Sequence, residues 1–146
     1  NNIIFTGAVS NASDYIKASD LFILNSSNEG IPNVLLEAMA SGLPCVVREI
    51  KGVDNYITFH NKNSLVVYED TNIYSQLVSL LDDLDKANTL GKNASLFIGK
   101  NFSLQSISSK LLKALSNKNW IILSKYLDIL FCIQAKNSLD KIFHYF

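Results

Sequence analysis

The chain has 146 residues, with 48% hydrophobic and 18% charged residues. That length suits one domain with one core, and that balance excludes a disordered chain. Its 13 basic residues equal its 13 acidic ones, so it offers no electrostatic footprint for nucleic acid.

In chain order, Ile3–Thr6 reads as a strand ending at Gly7, and Ser13–Ser19 as a short helix capped from the Asn11–Ser13 region. Leu21–Leu24 is a continuous apolar run, as in a strand covered on both faces. Asn25–Gly30 is a polar loop. Pro32–Ser41 follows as a helix, with proline in its first turn and Gly42 just past its end. Pro44–Val47 and Leu65–Val67 are further short strands. From about Thr71 the period turns helical, with Ile73, Leu77, Leu80, Leu81 and Leu84 on one face. Lys86–Phe97 and Leu104–Leu115 read as two more helices, the second capped by Ser103. Continuous apolar strands alternating with helices predict an α/β fold, an open parallel sheet with helices on both faces.

Asn117-Lys118-Asn119 marks a boundary, dividing an α/β domain over 1–116 from a helical tail over 117–146. In that tail Trp120, Leu123, Leu127, Leu130 and Phe131 share a helical face that must bury itself on something. Trp120–Ile133, the longest apolar stretch, is interrupted by Lys125 and Asp128 and is too short to span a bilayer, which takes ~20 apolar residues. Cys45 and Cys132 form neither a disulfide framework nor a zinc spacing. Cys45, in an apolar run, is expected to be a buried free thiol. A reducing, cytoplasmic setting fits. The chain opens on Asn1-Asn2-Ile3 without an initiator Met, from which a longer protein is expected.

The informative segment is Asn25–Val47, NSSNEGIPNVLLEAMASGLPCVV. A strand ends, a polar loop follows, and a helix begins at Gly30-Ile31-Pro32. The first amides of a helix lack internal partners, and its dipole adds about half a positive charge there, so this end suits a phosphate. Gly30 admits a close ligand. The site is expected beyond the C-terminal end of a parallel strand, where open α/β sheets bind ligands. Glu37 follows Asn33 by four residues and Gly30 by seven, near one helical face. Among Val34, Leu35, Leu36, Ala38, Met39 and Ala40, its carboxylate is expensive unless hydrogen-bonded, and a ribose diol would supply two donors. Alone, Glu29 or Glu37 would read as a solvated acid; their joint pattern favours a nucleotide site.

Glu29, seven intervening residues and Glu37, followed by Ala38-Met39-Ala40-Ser41-Gly42-Leu43-Pro44, resemble the EX7E signature of retaining family-4 (group 1) glycosyltransferases. Phe5-Thr6-Gly7-Ala8-Val9, Ala18-Ser19-Asp20-Leu21-Phe22-Ile23-Leu24 and Phe102-Ser103 resemble that family's weaker landmarks. The resemblance covers about residues 3 to 115. It implies the GT-B fold, of which this chain would be most of the C-terminal, donor-binding Rossmann-like half. Glu37 would hold the ribose hydroxyls. The amides near Asn33 and Val34 would hold the diphosphate. Gly30 and Ile31 would lie beside the transferred sugar, with Glu29 on a sugar hydroxyl. Val9 and Asn11 would lie near the base. No metal and no cofactor are implied, because the helix start does a cation's work on the leaving diphosphate. The implied partners are a nucleotide-diphosphate sugar and, through an N-terminal domain absent here, a saccharide or lipid-linked acceptor. Peripheral membrane association of the full-length protein is left open.

The chain departs from that pattern in places. The family's basic residues for the diphosphate fall upstream of Asn1. Asp54 and Asn55 stand where a glutamate is usual after Gly52, and Asn63-Ser64 replaces Asn-Gly. Asp83-Leu84-Asp85 has the form of a metal-binding DxD but reads as a solvated helix end. His60 and His144 have no triad or ligand spacing around them. Two rivals remain: another GT-B activity such as a sugar-nucleotide epimerase, for which a suitable histidine is lacking, and an inactive or truncated module that binds nucleotide or a partner without turnover.

Overall fold

The structure is a computed structural model that describes residues 3–26, 28–51, 53–68 and 72–117, together with Ser124, Tyr126, Leu127 and Ile129. Expectations for His144, Cys132 and most of the tail fall outside the described residues. The elements are α1 (Ala12–Lys17), β1 (Phe22–Leu24), α2 (Asn33–Ala40), β2 (Cys45–Arg48), β3 (Leu65–Val67), α3 (Ile73–Leu81), α4 (Leu84–Phe102) and α5 (Leu104–Ser116). The strands form one parallel sheet in the order β1-β2-β3, with Val47 opposite Leu24 on one side and Val66 on the other.

Side chains alternate across a strand, and β2 shows the consequence. Cys45 and Val47 enter a cluster with Leu35, Leu36, Ala38 and Met39 of α2 and with Ile98, Phe102 and Ile107 of α4 and α5. Val46 enters a second cluster with Leu65, Val67, Leu80, Ala87 and Leu90. Helices therefore cover both faces of the sheet at β2 and β3, but β1, expected to be covered likewise, keeps Ile23 44% exposed. The first three residues of β2 and all of β3 are buried, each large apolar side chain contributing roughly 1.5–3 kcal/mol by leaving water.

Ser103 caps α5, its Oγ accepting from the Ser106 amide at 3.2 Å. Asp83 is the N-cap of α4, accepting from the Lys86 amide at 2.9 Å. The DLD triplet thus lies at an exposed junction between α3 and α4, one carboxylate engaged in capping. The tail meets the core at Ile129, buried within the α2-side cluster, and at Tyr126, which packs against that cluster below the Lys110 ammonium.

Three expectations need correction. Ile3–Thr6 is not a strand: it pairs with none of the three strands, and Ile3, Ile4 and Phe5 are 74%, 85% and 94% exposed. A parallel strand exists only through its neighbours' backbone groups, which apolarity alone cannot supply. Asn11 occupies the N-cap of α1 but makes no side-chain cap bond. Leu81 and Leu84 are exposed, because α3 ends at Leu81 and α4 starts afresh at Leu84 rather than continuing the same face.

Candidate functional site

Because β1 and β2 are parallel, the chain leaves β1 at the sheet's C-terminal edge and α2 must start there to bring it back. Pro32 is the N-cap of α2, with extended backbone at φ −73° and ψ 97°. Its carbonyl accepts from the Leu35 and Leu36 amides at 3.0 and 3.2 Å. Proline has no side-chain acceptor, and none caps this helix. The Asn33 and Val34 amides have no hydrogen-bond acceptor among the described residues. Unpaired amides at the positive end of a helix form an anion site. Gly30 stands just ahead, and a Cβ there would meet nothing within 4 Å.

Glu29, Gly30, Ile31, Asn33 and Val34 are brought together around this helix start. Glu29 is an exposed loop residue at the sheet's C-terminal edge. Ile31 is half-buried and packs on the α2-side core, whereas Val34 is 40% exposed. The apolar neighbours of Glu37 predict a largely buried side chain, but it is only half-buried. The inward stripe of α2 is Leu35, Leu36, Ala38 and Met39. Glu37 falls on its flank, one turn beyond the half-buried Asn33, where partial burial costs its carboxylate less than full burial would. Val9 and Asn11 lie on the exposed segment leading into α1, and α1 in turn packs against α2.

One feature of this edge escapes a motif search. Arg48 is the last residue of β2 and is half-buried, and its Nε donates to Asn25 Oδ1 at 2.7 Å. Asn25 opens the loop that ends at α2. Arg48 is the only arginine among the 13 basic residues. A lone arginine closing an apolar strand is a signal, but its partner lies 23 residues away and becomes a neighbour only through parallel pairing.

The chain between β2 and β3 crosses back without a helix. Asn63 holds it: its Nδ2 donates to the Ile57 carbonyl at 2.9 Å, while its Oδ1 accepts from the Phe59 amide at 2.8 Å. His60 Nδ1 accepts from the Val66 amide at 3.0 Å, a structural use of a loop histidine. This crossing encloses a cavity of about 150 Å³ against β3, lined by residues from Asp54 to Tyr68 and by none from α2. Cys45 is buried, and burial pushes its thiol up to about 12. It holds its proton and is no nucleophile at neutral pH. Burial, then the charge of Tyr126, raises Tyr56.

This geometry has known counterparts. A family model described as glycosyl transferases group 1 matches residues 1–83. N-acetyl-alpha-D-glucosaminyl L-malate synthase of Bacillus anthracis is 30% identical over 111 residues, which are 75% of this chain and 29% of that protein. UDP-Gal:alpha-D-GlcNAc-diphosphoundecaprenol alpha-1,3-galactosyltransferase of Escherichia coli is 32% identical over 89 residues, 61% of this chain and 23% of that one. Among solved structures, sucrose-phosphate synthase from Thermosynechococcus elongatus superposes with a TM-score of 0.61 at 25% identity, over 70% of this chain and 26% of the synthase. The chain thus spans less than a third of the length of each of these relatives. More than half of its residues fall within the family match, and the chain belongs to the glycosyl transferases group 1 family.

Proposed function

We propose that this chain supplies the donor-binding part of a glycosyltransferase that moves a sugar from a nucleotide sugar to a saccharide or lipid-linked acceptor with retention of anomeric configuration. The observation that carries the reading is the start of α2: two unpaired amides at the C-terminal edge of a parallel sheet, with an exposed glutamate and an unfilled glycine just before them. The E. coli relative's name contains both a UDP-sugar and a diphosphoundecaprenol-linked saccharide, which is why an acceptor of that class is proposed.

In this reading the Asn33 and Val34 amides bind the diphosphate and stabilise the charge that grows on it as the glycosidic bond breaks. A preorganised helix end does this without reorganising at the moment of reaction. Glu37, on the flank of α2, accepts hydrogen bonds from the two ribose hydroxyls. Glu29 accepts from a hydroxyl of the transferred sugar, for which Gly30 and Ile31 leave room. Val9 and Asn11 contact the base. The bond from the anomeric carbon to the diphosphate oxygen breaks, the acceptor hydroxyl forms the new bond on the same face, and its proton leaves with the diphosphate.

The test is a panel of UDP-, GDP- and ADP-sugars offered to the full-length protein, with binding followed by calorimetry and the product's anomeric configuration by NMR. Saturable binding of one donor and a product of unchanged anomeric configuration are expected. An inverted product would remove retention. Binding without transfer to any saccharide or lipid-linked acceptor would favour a nucleotide-binding module without turnover.

A further inference from the structure

The diphosphate carries more negative charge than two neutral amides match, and β2 ends at the C-terminal edge of the sheet in a cation, Arg48. We propose that Arg48 is an anion-binding residue of the donor site, its guanidinium reaching the diphosphate while Asn25 positions it. The inference rests on the donor-binding reading above and adds to it a residue from the next strand.

Arg48 closes β2 on the edge where β1 gives way to the loop and α2 begins. Its Nε is committed to Asn25 Oδ1 at 2.7 Å. No other hydrogen bond and no carboxylate partner engages its terminal nitrogens among the described residues. The guanidinium is planar by delocalisation, and an arginine oriented through Nε still presents its two terminal nitrogens as a fork that matches the paired oxygens of a phosphate. Lysine, which makes up the other 12 basic residues, is a point charge on a flexible stem and lacks that fork. The surroundings reinforce the choice. Asn25 is the first residue of the loop carrying Glu29 and Gly30, so its hydrogen bond ties the arginine to the backbone that leads to the unpaired amides.

The experiment titrates UDP, GDP and ADP, with the parent nucleosides beside them, into the full-length protein and its Arg48→Gln, Arg48→Lys and Asn25→Ala variants. Arg48→Gln is expected to weaken the preferred nucleoside diphosphate about tenfold to a hundredfold, the range for hydrogen bonds to a charged group, and to leave the nucleoside unchanged. Arg48→Lys should lose less, and Asn25→Ala should follow it with only a few-fold loss. The salt dependence of diphosphate binding should become shallower in Arg48→Gln. Unchanged diphosphate affinity in Arg48→Gln, or equal losses for nucleoside and diphosphate, would overturn the proposal. Should Arg48→Gln fail to fold, Arg48→Lys carries the test: a lower melting temperature with unaltered diphosphate affinity would mark a structural role and end the proposal. A wild-type protein that binds none of the three diphosphates refutes the donor-binding reading itself, a result distinct from every one above.

Discussion

The two ends of α2 are built in opposite ways. At its C-terminus every group has a place. Gly42, at φ +80°, follows the Ser41 cap. Its amide donates to the Met39 carbonyl at 3.0 Å, and the Leu43 amide donates to the Ala38 carbonyl at 3.1 Å. This pair of bonds is the Schellman arrangement, which glycine favours because it alone takes the left-handed conformation at no steric cost. The Ser95 hydroxyl donates to the Ala40 carbonyl at 3.0 Å, and Gly91 brings the backbone of α4 against the Gly42 peptide. At the N-terminus the cap is a proline, two amides are unpaired among the described residues and a Cβ on the nearest glycine would meet nothing within 4 Å. One helix thus has a finished end that fixes the fold and an unfinished end whose first amides find no partner among the described residues.

Glycine substitutions separate the two ends most sharply. A Cβ on Gly91 would fall on the Gly42 carbonyl oxygen and lie 3.0 Å from its carbon. Backbone cannot swing aside as a side chain can, so Gly91→Ala should destabilise by about 2–3 kcal/mol, the upper range of overpacking, read by urea unfolding. Gly30→Ala should leave unfolding within about 0.5 kcal/mol of wild type, as at an unconstrained surface position, while weakening nucleotide-sugar binding. Equal stability losses at Gly30 and Gly91 would erase the proposed contrast.

The acidic pair sharpens the open end. Glu37→Gln keeps the side chain's size but loses the charge that strengthens its hydrogen bonds to a diol. Nucleoside diphosphate affinity in the full-length protein should fall by about 1–3 kcal/mol. Glu29→Gln should leave that affinity nearly unchanged while turnover falls, because its proposed partner is the sugar. Calorimetry and a kinetic assay on the same variants separate the roles, and equal effects on diphosphate affinity would reject the division.

Gly42→Ala tests the closed end more gently. The new methyl would meet only the Gly91 carbonyl oxygen at 4.0 Å, so the cost is the left-handed backbone alone, about 1–2 kcal/mol of unfolding free energy. Smallest is the titration of Cys45, on the strand that follows. Its folded value of about 12 lies above the ordinary 9.0. The folded state therefore holds the proton more tightly, and this contribution to stability is complete below pH 9 and is lost as pH rises toward 12. Urea midpoints should fall across that window, less so in Cys45→Ala. At pH 8 the native thiol should resist iodoacetamide, with peptide mapping to distinguish Cys45 from Cys132.

Local chemistry wrote much of this architecture into the sequence. The Ser103 cap and the glycine after α2 are decided by neighbours within one turn. The continuous runs Pro44–Val47 and Leu65–Val67 announce strands covered on both faces for the same local reason, whereas the equally apolar Leu21–Leu24 leaves Ile23 44% exposed. The spacing from Glu29 to Glu37 likewise resides in one stretch of chain, so the start of α2 could be marked as the candidate site beforehand. What only the tertiary structure decided depends on residues far apart in sequence. Ile3–Phe5 has the composition of a strand but no neighbour here to complete its hydrogen bonds. Glu37 sits on a flank because the sheet covers Leu35 and Met39 rather than every apolar residue near it. Arg48 meets Asn25, and Gly91 meets Gly42, only once the parallel strands are in register and α4 lies across α2. Such contacts have no local period to betray them; they follow from which surfaces must be buried against each other.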